Sequence, residues 1–487
     1  MDAPIASTRA AARRSHALYV LTAGEVRAAE AAAIRAGIDP LALMLRAGEA
    51  AARAIAAFTG PRPALVLCGR GNNGGDGYVV AAGLAGAGWP VRVASLGEPT
   101  ADPARATRAR WKGPVEALAN AAAAPLVIDA LFGIGLTRSL DTGLAETLAR
   151  LLAAARIRVA LDLPSGVGAD DGGLLGARAA FDLTVAFGAL KPAHLLHPAA
   201  ASMGRVVVAD IGLDTGAARL RANPAPDPRA PAADGHKAQR GHVLVLSGGP
   251  GKGGAARLAA RAALRAGAGL VTLAVPTPAL TENAARLDAL MLTPLDNPAD
   301  LAALIAERRV TALALGPGFG TDAHARALAE AALATGLPLV LDADVFTLFK
   351  GDTAAFDRAA PTVLTPHEGE FARLFGALSG SKVDRTRAAA ERAGAIVLLK
   401  GADTVIAASD GQATIETAAA PWLATAGSGD TLTGAIAARL GGGEPAYEAA
   451  CAGAWLHARA GELAGPGMTA DDLPGLIGQT LARLARA

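Results

Sequence analysis

Residues 66–84, VLCGRGNNGGDGYVVAAGL, read as a buried apolar strand, a glycine-rich turn from Gly69 to Gly77, and a helix rich in Ala and Val. The first N–H groups of such a helix lack intrahelical partners and its dipole favours negative charge, so the turn is suited to a phosphate. Gly69, Gly71 and Gly74 also satisfy G-x-G-x-x-G, the dinucleotide fingerprint. That fingerprint calls for an acid about 20 residues further on to hold a ribose. Glu98 is a poor candidate for it, and the polar run Asn72 to Gly77 is unlike the usual motif.

Outward from this stretch, the runs Ala64 to Cys68, Val91 to Ser95, Leu126 to Asp129 and Val159 to Leu163 alternate with Ala/Arg/Glu helical stretches. Such alternation is the pattern of a parallel sheet covered by helices on both faces, here a Rossmann-like three-layer α/β/α domain. The rhythm stops at 223–235, NPAPDPRAPAADG, whose four prolines and lack of period read as a linker. It resumes with strands expected at His242 to Leu246, Leu270 to Val275, Leu313 to Leu315, Leu339 to Leu341, Val363 to Thr365 and Ile396 to Lys400. A chain of 487 residues exceeds one ordinary core, which favours two large domains. The expected organisation is a lead-in over 1–17, a first domain over 18–222, the linker, and a second α/β domain over 236–487.

Composition narrows the partners. With 46 basic and 44 acidic residues the formal charge is +2, so nothing demands a polyanion such as nucleic acid, and a small molecule is the better expectation. The hydrophobic share of 52% is mostly Ala interrupted by charge, and the uncharged stretch from Ala266 to Thr281 is broken by Gly and Pro, so no membrane span is expected. Cys68 and Cys451 are the only cysteines, which suits a reducing, cytoplasmic compartment. His194 and His197 have no acid or Cys at ligand spacing and read as surface or packing residues.

In the first half, Asp129 in VIDALFGIGLTR, and Asp162 with Ser165 in ALDLPSG, stand at strand ends, where ligands collect in open parallel sheets. In the second half, HVLVLSGG leads into GPGKGG without the Lys-Ser/Thr of a Walker A loop, leaving Lys252 solvated. The sharpest feature is TAGSGDTLTGAIAA, 425–438, where Gly427, Ser428, Gly429 and Asp430 open an apolar helix. Amides there can hold phosphoryl oxygens while Asp430 takes a proton from a hydroxyl.

GRGNNGGDG, DALFGIGL, DLPSG and FGALKP resemble the N-terminal epimerase domain of the nicotinamide-nucleotide repair proteins, over roughly residues 18 to 220. The resemblance implies a site for hydrated NAD(P)H formed by Asn72, Asn73, Gly74, Gly75 and Asp76, by Gly133, Ile134, Gly135, Leu136, Thr137 and Arg138, and by Asp162. It also implies a potassium ion on Asn73, Asp129 and Ser165, Asp129 as acid/base at C6 of the hydrate, and Lys191 as an accessory. HKAQRGHVLVLSG, GPGFG, TPHEGE, KGADT and GSGD resemble, in that order, the ribokinase-like dehydratase domain of the same proteins, over about residues 232 to 485. By that resemblance Ala255, Gly318, His367 and Asp430 line the hydrate. Lys400, Gly401, Ala402, Asp403, Thr404 and Gly429 then hold ADP with magnesium, and the assembly is a homo-oligomer. The chain departs from the family at Ala238, where glycine is usual, and in the loop GGPGKGG. The rival readings are a vitamin-precursor kinase fused to another domain, a nucleotide-binding protein with idle catalytic groups, and a Rossmann dehydrogenase.

Overall fold

The computed structural model describes residues 18–176, 179–229, 234–417 and 420–486. The expected lead-in, and residues 230–233 of the expected linker, lie outside the described residues. The chain divides into two compact units, Met1–Ala222 and Asn223–Ala487.

In chain order the first unit contains β1 (Tyr19–Val20), α1 (Ala23–Arg35), α2 (Pro40–Phe58), β2 (Ala64–Cys68), α3 (Asn72–Gly86), β3 (Val91–Ser95), α4 (Asp102–Arg110), β4 (Val115–Ala117), β5 (Leu126–Ala130), α5 (Thr142–Ala154), β6 (Ile157–Leu161), β7 (Leu183–Phe187), β8 (Arg205–Ala209) and β9 (Leu220–Ala222). Seven of these strands form a sheet in the order β4-β3-β2-β5-β6-β7-β8, parallel throughout. β1 and β9 form a short antiparallel ladder. The strands β2, β5 and β7 are buried along their whole length, which is why their sequences are apolar runs rather than alternations. From β2 the chain winds outward to β3 and β4, then returns to β5 and winds the other way. The β2/β5 boundary is therefore a topological switch point, and the crevice beyond its carboxyl ends is where a ligand belongs.

The second unit contains β10 (His242–Leu246), α6 (Gly253–Arg265), β11 (Leu270–Val275), α7 (Leu280–Ala284), β12 (Met291–Pro294), α8 (Pro298–Arg308), β13 (Ala312–Leu315), α9 (Ala323–Leu333), β14 (Leu339–Leu341), α10 (Asp344–Leu348), β15 (Thr362–Leu364), α11 (Glu368–Phe375), α12 (Lys382–Ala393), β16 (Ile396–Leu399), β17 (Val405–Ala407), β18 (Ala413–Ile415), α13 (Ser428–Gly441), α14 (Ala446–Ala464) and α15 (Leu473–Leu484). These strands run in the order β18-β17-β16-β15-β14-β13-β10-β11-β12. They are parallel from β16 to β12 and antiparallel through the β16-β17-β18 meander. The switch point here lies between β10 and β13.

Alanine dominates the contact between α6 and α13: Ala259, Ala260, Ala263, Ala435 and Ala437 are all buried in one core. A Cβ on Gly434 would lie 1.9 Å from the Ala259 carbonyl oxygen. Gly434→Ala is therefore expected to destabilise the second unit by about 3 kcal/mol, the upper part of the overpacking range, outweighing a helix-propensity gain of about 1 kcal/mol. Urea denaturation of the variant checks this; an unchanged midpoint contradicts it.

Three expectations are corrected. The glycine run is not a long turn: α3 already begins at Asn72, with Gly71 as its N-cap. Its glycines serve packing, since a Cβ on Gly74 would lie 1.9 Å from the Gly69 oxygen and one on Gly77 2.7 Å from Ala130 Cβ. The strand expected at Val159 to Leu163 is Ile157–Leu161, because Asp162 adopts φ 62° and leaves the extended region. The proline-rich segment does not stand wholly clear of a core: Asn223 is buried and donates to Glu416 at 2.6 Å and to the Cys451 carbonyl at 2.9 Å.

Candidate active sites

In the first unit, loops following β2, β5, β6 and β7 meet at the switch point. Gly69 closes against the β5 loop, where a Cβ would fall 1.9 Å from the Leu131 oxygen. Gly71 offers no side-chain cap to α3, so the first amides of that helix stay available to an anion. Asn72 is exposed beside them. The side chain of Asn73 donates to the Leu161 carbonyl at 3.2 Å, while its Oδ1 is buried without a partner.

Asp129, at the end of β5, has no solvent exposure. Its carboxylate accepts from Ser165 N at 2.8 Å, Ser165 Oγ at 2.7 Å and Leu131 N at 3.1 Å. Burial pushes its pKa up, against the pull of these three bonds. No lysine or arginine pairs with it among the described residues. A buried carboxylate without a counter-ion and a buried, unpartnered amide oxygen are both donors of the kind that suits a hard cation.

Asp162 follows β6 in a strained left-handed conformation for a non-glycine residue. Lys191 Nζ donates to its Oδ1 at 2.5 Å and to the Phe187 carbonyl at 2.8 Å. Ile134 N donates to its Oδ2 at 3.2 Å, and a Cβ on Gly133 would come within 2.7 Å of that oxygen. This ties the Gly133–Arg138 loop to Asp162, leaving Gly135, Thr137 and Arg138 exposed. His194 is a packing residue here. Its Nδ1 accepts from Lys191 N, so its Nε2 carries the hydrogen and donates to the Asp162 carbonyl, both at 2.8 Å. Burial and Lys191 lower its pKa to about 4, keeping the ring neutral.

In the second unit, Gly427 begins α13 with φ 87° and no side-chain cap. Asp430 stands in the first turn, its pKa raised to about 7 by burial and by Asp342, Glu370 and Asp344, with Lys400 opposing. Lys400 Nζ lies 2.7 Å from Asp342 Oδ1 and 3.7 Å from Glu370 Oε2. Burial alone would lower the pKa of that amine, but Asp342, Glu370 and Asp430 outweigh it and raise it. Asp342 is held by Thr433 Oγ1 at 2.8 Å and by the Ala343 amide at 2.9 Å. The next residue, Ala343, is a non-glycine at φ 46°. A Cβ on Gly429 would stand 3.2 Å from Lys400 Nζ.

The structure thus brings Asp430, Gly429 and Lys400 together and adds Asp342, Glu370 and Thr433, which sequence reasoning did not assign. VLDAD at 340–344 carried the signal for Asp342, an acid directly after a buried strand. His367 caps α11, its Nδ1 accepting from Gly369 N at 2.9 Å while Glu370 caps back onto His367 N at 2.8 Å. Ala255 and Gly318 meet, a Cβ on Gly318 falling 3.5 Å from that of Ala255. In the Lys400 loop, Thr404 closes onto Gly401 and Asp403 is taken by Lys382 at 2.7 Å, so Asp403 braces the loop. Ala402 lies exposed between them.

Two family models match: one described as YjeF-related protein N-terminus over residues 40–193, and one described as NAD(P)H-hydrate dehydratase over 243–483. A Moorella thermoacetica protein named bifunctional NAD(P)H-hydrate repair enzyme Nnr is 37% identical, with 92% of each chain covered. A Mycobacterium tuberculosis protein of the same name is 39% identical over 87% of this chain and 89% of its own. The crystal structure of a Bacillus subtilis ADP/ATP-dependent NAD(P)H-hydrate dehydratase, co-crystallized with ATP/Mg2+, is 28% identical. It covers 52% of this chain and 94% of its own, at a TM-score of 0.48.

Proposed function

The chain belongs to the bifunctional NAD(P)H-hydrate repair enzyme family, and on that premise we propose how its two units divide the work. The first interconverts the R and S hydrates of NADH and NADPH. The second dehydrates the S hydrate with ADP, releasing NAD(P)H, AMP and phosphate. The observation that carries the second role is Asp430, placed at an uncapped helix start among Asp342, Glu370 and Lys400.

Asp430 takes the proton of the C6 hydroxyl, and the terminal phosphoryl group of ADP passes to that oxygen as AMP leaves. The ring nitrogen then expels phosphate, and loss of a C5 proton restores the reduced ring. The α13 amides hold the transferring phosphoryl oxygens. Lys400, kept charged by Asp342 and Glu370, faces the phosphates, and the Gly401–Thr404 loop with Gly429 holds the rest of the nucleotide. Ala255, Gly318 and His367 line the hydrate. Among the described residues no group of three or more His, Cys, Asp or Glu side chains converges as a metal cage. Magnesium, when bound, neutralises phosphate charge, and it fits here as an ion held largely by phosphates and water.

In the first unit, Asn73, Asp129 and Ser165 would hold potassium, which supplies the positive charge that the Asp129 carboxylate lacks. Asn72, Gly74, Gly75, Asp76 and the Gly133–Arg138 loop take the nucleotide. Because Asp129 is fully buried and triply bonded, we assign contact with the reacting ring to Asp162 and Lys191, with Asp129 anchoring the loop and the cation. A cytoplasmic, homo-oligomeric enzyme is inferred from the family resemblance. Among the described residues no helix is long and apolar enough to cross a membrane.

One AMP and one phosphate are expected for each NAD(P)H recovered, and recovery without ADP consumption contradicts the proposal. A second expectation concerns pH. Since Asp430 acts as a base with its pKa near 7, dehydration should decline as pH falls through about 7. Lys400→Met removes the one opposing positive charge, so the acid limb of kcat/KM should move to higher pH. A limb that stays in place, or moves lower, counts against this electrostatic account.

A further inference from the structure

Asp162 and Asp76 sit in opposite environments. Asp162 is the better satisfied: Lys191, Ile134 N and Phe187 N all donate to its carboxylate. Asp76, on α3, is only 8% exposed, and among the described residues no donor bonds its carboxyl. The titratable groups that face it are Asp162 beyond β6, Glu30 on α1 and Lys191 beyond β7. Burial, then Asp162 and Glu30, push its pKa well above the ordinary carboxylate value, with Lys191 opposing. A buried carboxyl that no donor bonds and a second carboxylate that takes three donors are differently placed groups of the kind by which one site can supply both an acid and a base.

Resting on the epimerase reading of the first unit, we propose that Asp76 is the general acid of epimerisation, donating its proton to the C6 hydroxyl of the hydrate. The C6–O bond breaks, water departs, and the ring nitrogen lone pair forms an iminium bond to C6. Asp162, hydrogen-bonded by Lys191, faces the resulting cation. Water adds to the opposite face of C6 and gives a proton to Asp162. The enzyme is left with Asp76 ionised and Asp162 protonated, the state that runs the reverse epimerisation, and proton exchange with solvent resets it. No bond to phosphate is involved, so ADP is not required.

The test supplies pure R hydrate without ADP in water enriched in oxygen-18 and follows formation of S hydrate and its oxygen label. Wild type should accelerate epimerisation and incorporate one solvent oxygen per event. Asp76→Asn should slow epimerisation by about 100-fold or more, while the same protein still dehydrates S hydrate at the wild-type rate. Asp76→Glu, which keeps a proton donor, should run at least about ten times faster than Asp76→Asn. Retention of epimerase activity within about threefold by the Asn variant overturns the proposal, as does equality of the two variants or epimerisation without label. Failure of wild type to accelerate epimerisation would instead sink the reading of the first unit.

Discussion

Asp430→Asn is expected to reduce ADP-dependent recovery of NAD(P)H by about 10²–10⁴-fold, the contribution typical of a positioned general base. The amide has nearly the shape of the carboxyl and cannot take the hydroxyl proton. Removing a charge from a cluster that already holds Asp342, Glu370 and Asp344 relieves repulsion, so stability should not fall. Nucleotide binding should persist, because the α13 amides and Lys400 remain. Single-turnover assays with ADP and S hydrate, together with a denaturation curve, check both halves of the expectation. A variant that retains more than about a tenth of wild-type kcat would show that Asp430 is not the base.

Lys191→Met should cost the first unit about 3–5 kcal/mol, as breaking a buried ion pair by removing one partner does. Lys191 is 1% exposed. Its loss leaves the Asp162 carboxylate buried with only amide donors, and leaves the Phe187 carbonyl without the amine that donates to it. The double variant Lys191→Met with Asp162→Asn removes the stranded charge and should recover part of that loss. Chemical denaturation of the single and double variants measures the coupling; strict additivity of the two substitutions contradicts it. Epimerisation should be lost in both, if the proposed assignment of both side chains to the reacting ring holds.

The sequence made several strands legible because they are runs dominated by apolar residues and bounded by polar or turn-forming stretches: β2, β3, β10, β11 and β14 fall at their expected residues. It was less informative about short edge strands such as β4 and β12, whose few residues carry no period. The same holds for the β17–β18 ladder, where tertiary pairing rather than composition creates the strand. Asp162 was legible as a polar residue at a strand end, but the left-handed backbone that ends β6 there is imposed by tertiary contacts to His194 and Lys191, some thirty residues away.

The second site shows the same division. GSGD is local, so the uncapped helix start with Asp430 could be read directly. The groups that set the behaviour of Asp430 come from separate loops: Asp342 after β14, Glu370 on α11 and Lys400 after β16. Only the parallel sheet aligns those loop ends, and no spacing along the chain encodes their meeting. Glu370 lay inside a quoted motif yet acquired a role only once Lys400 was seen at 3.7 Å. Asp76 was likewise legible as a ligand-loop residue, whereas the missing donors around its carboxyl belong to the folded structure.

The most direct measurement combines a mixed-epimer preparation of hydrated NADH with the full-length protein, potassium, magnesium and ADP, and follows the return of reduced-nicotinamide absorbance. Both epimers should be recovered by wild type, and neither by Asp430→Asn. Omitting ADP should abolish recovery while leaving interconversion of the epimers intact. No recovery with ADP or ATP would contradict the assignment of the second unit, and recovery of only the S epimer would contradict that of the first.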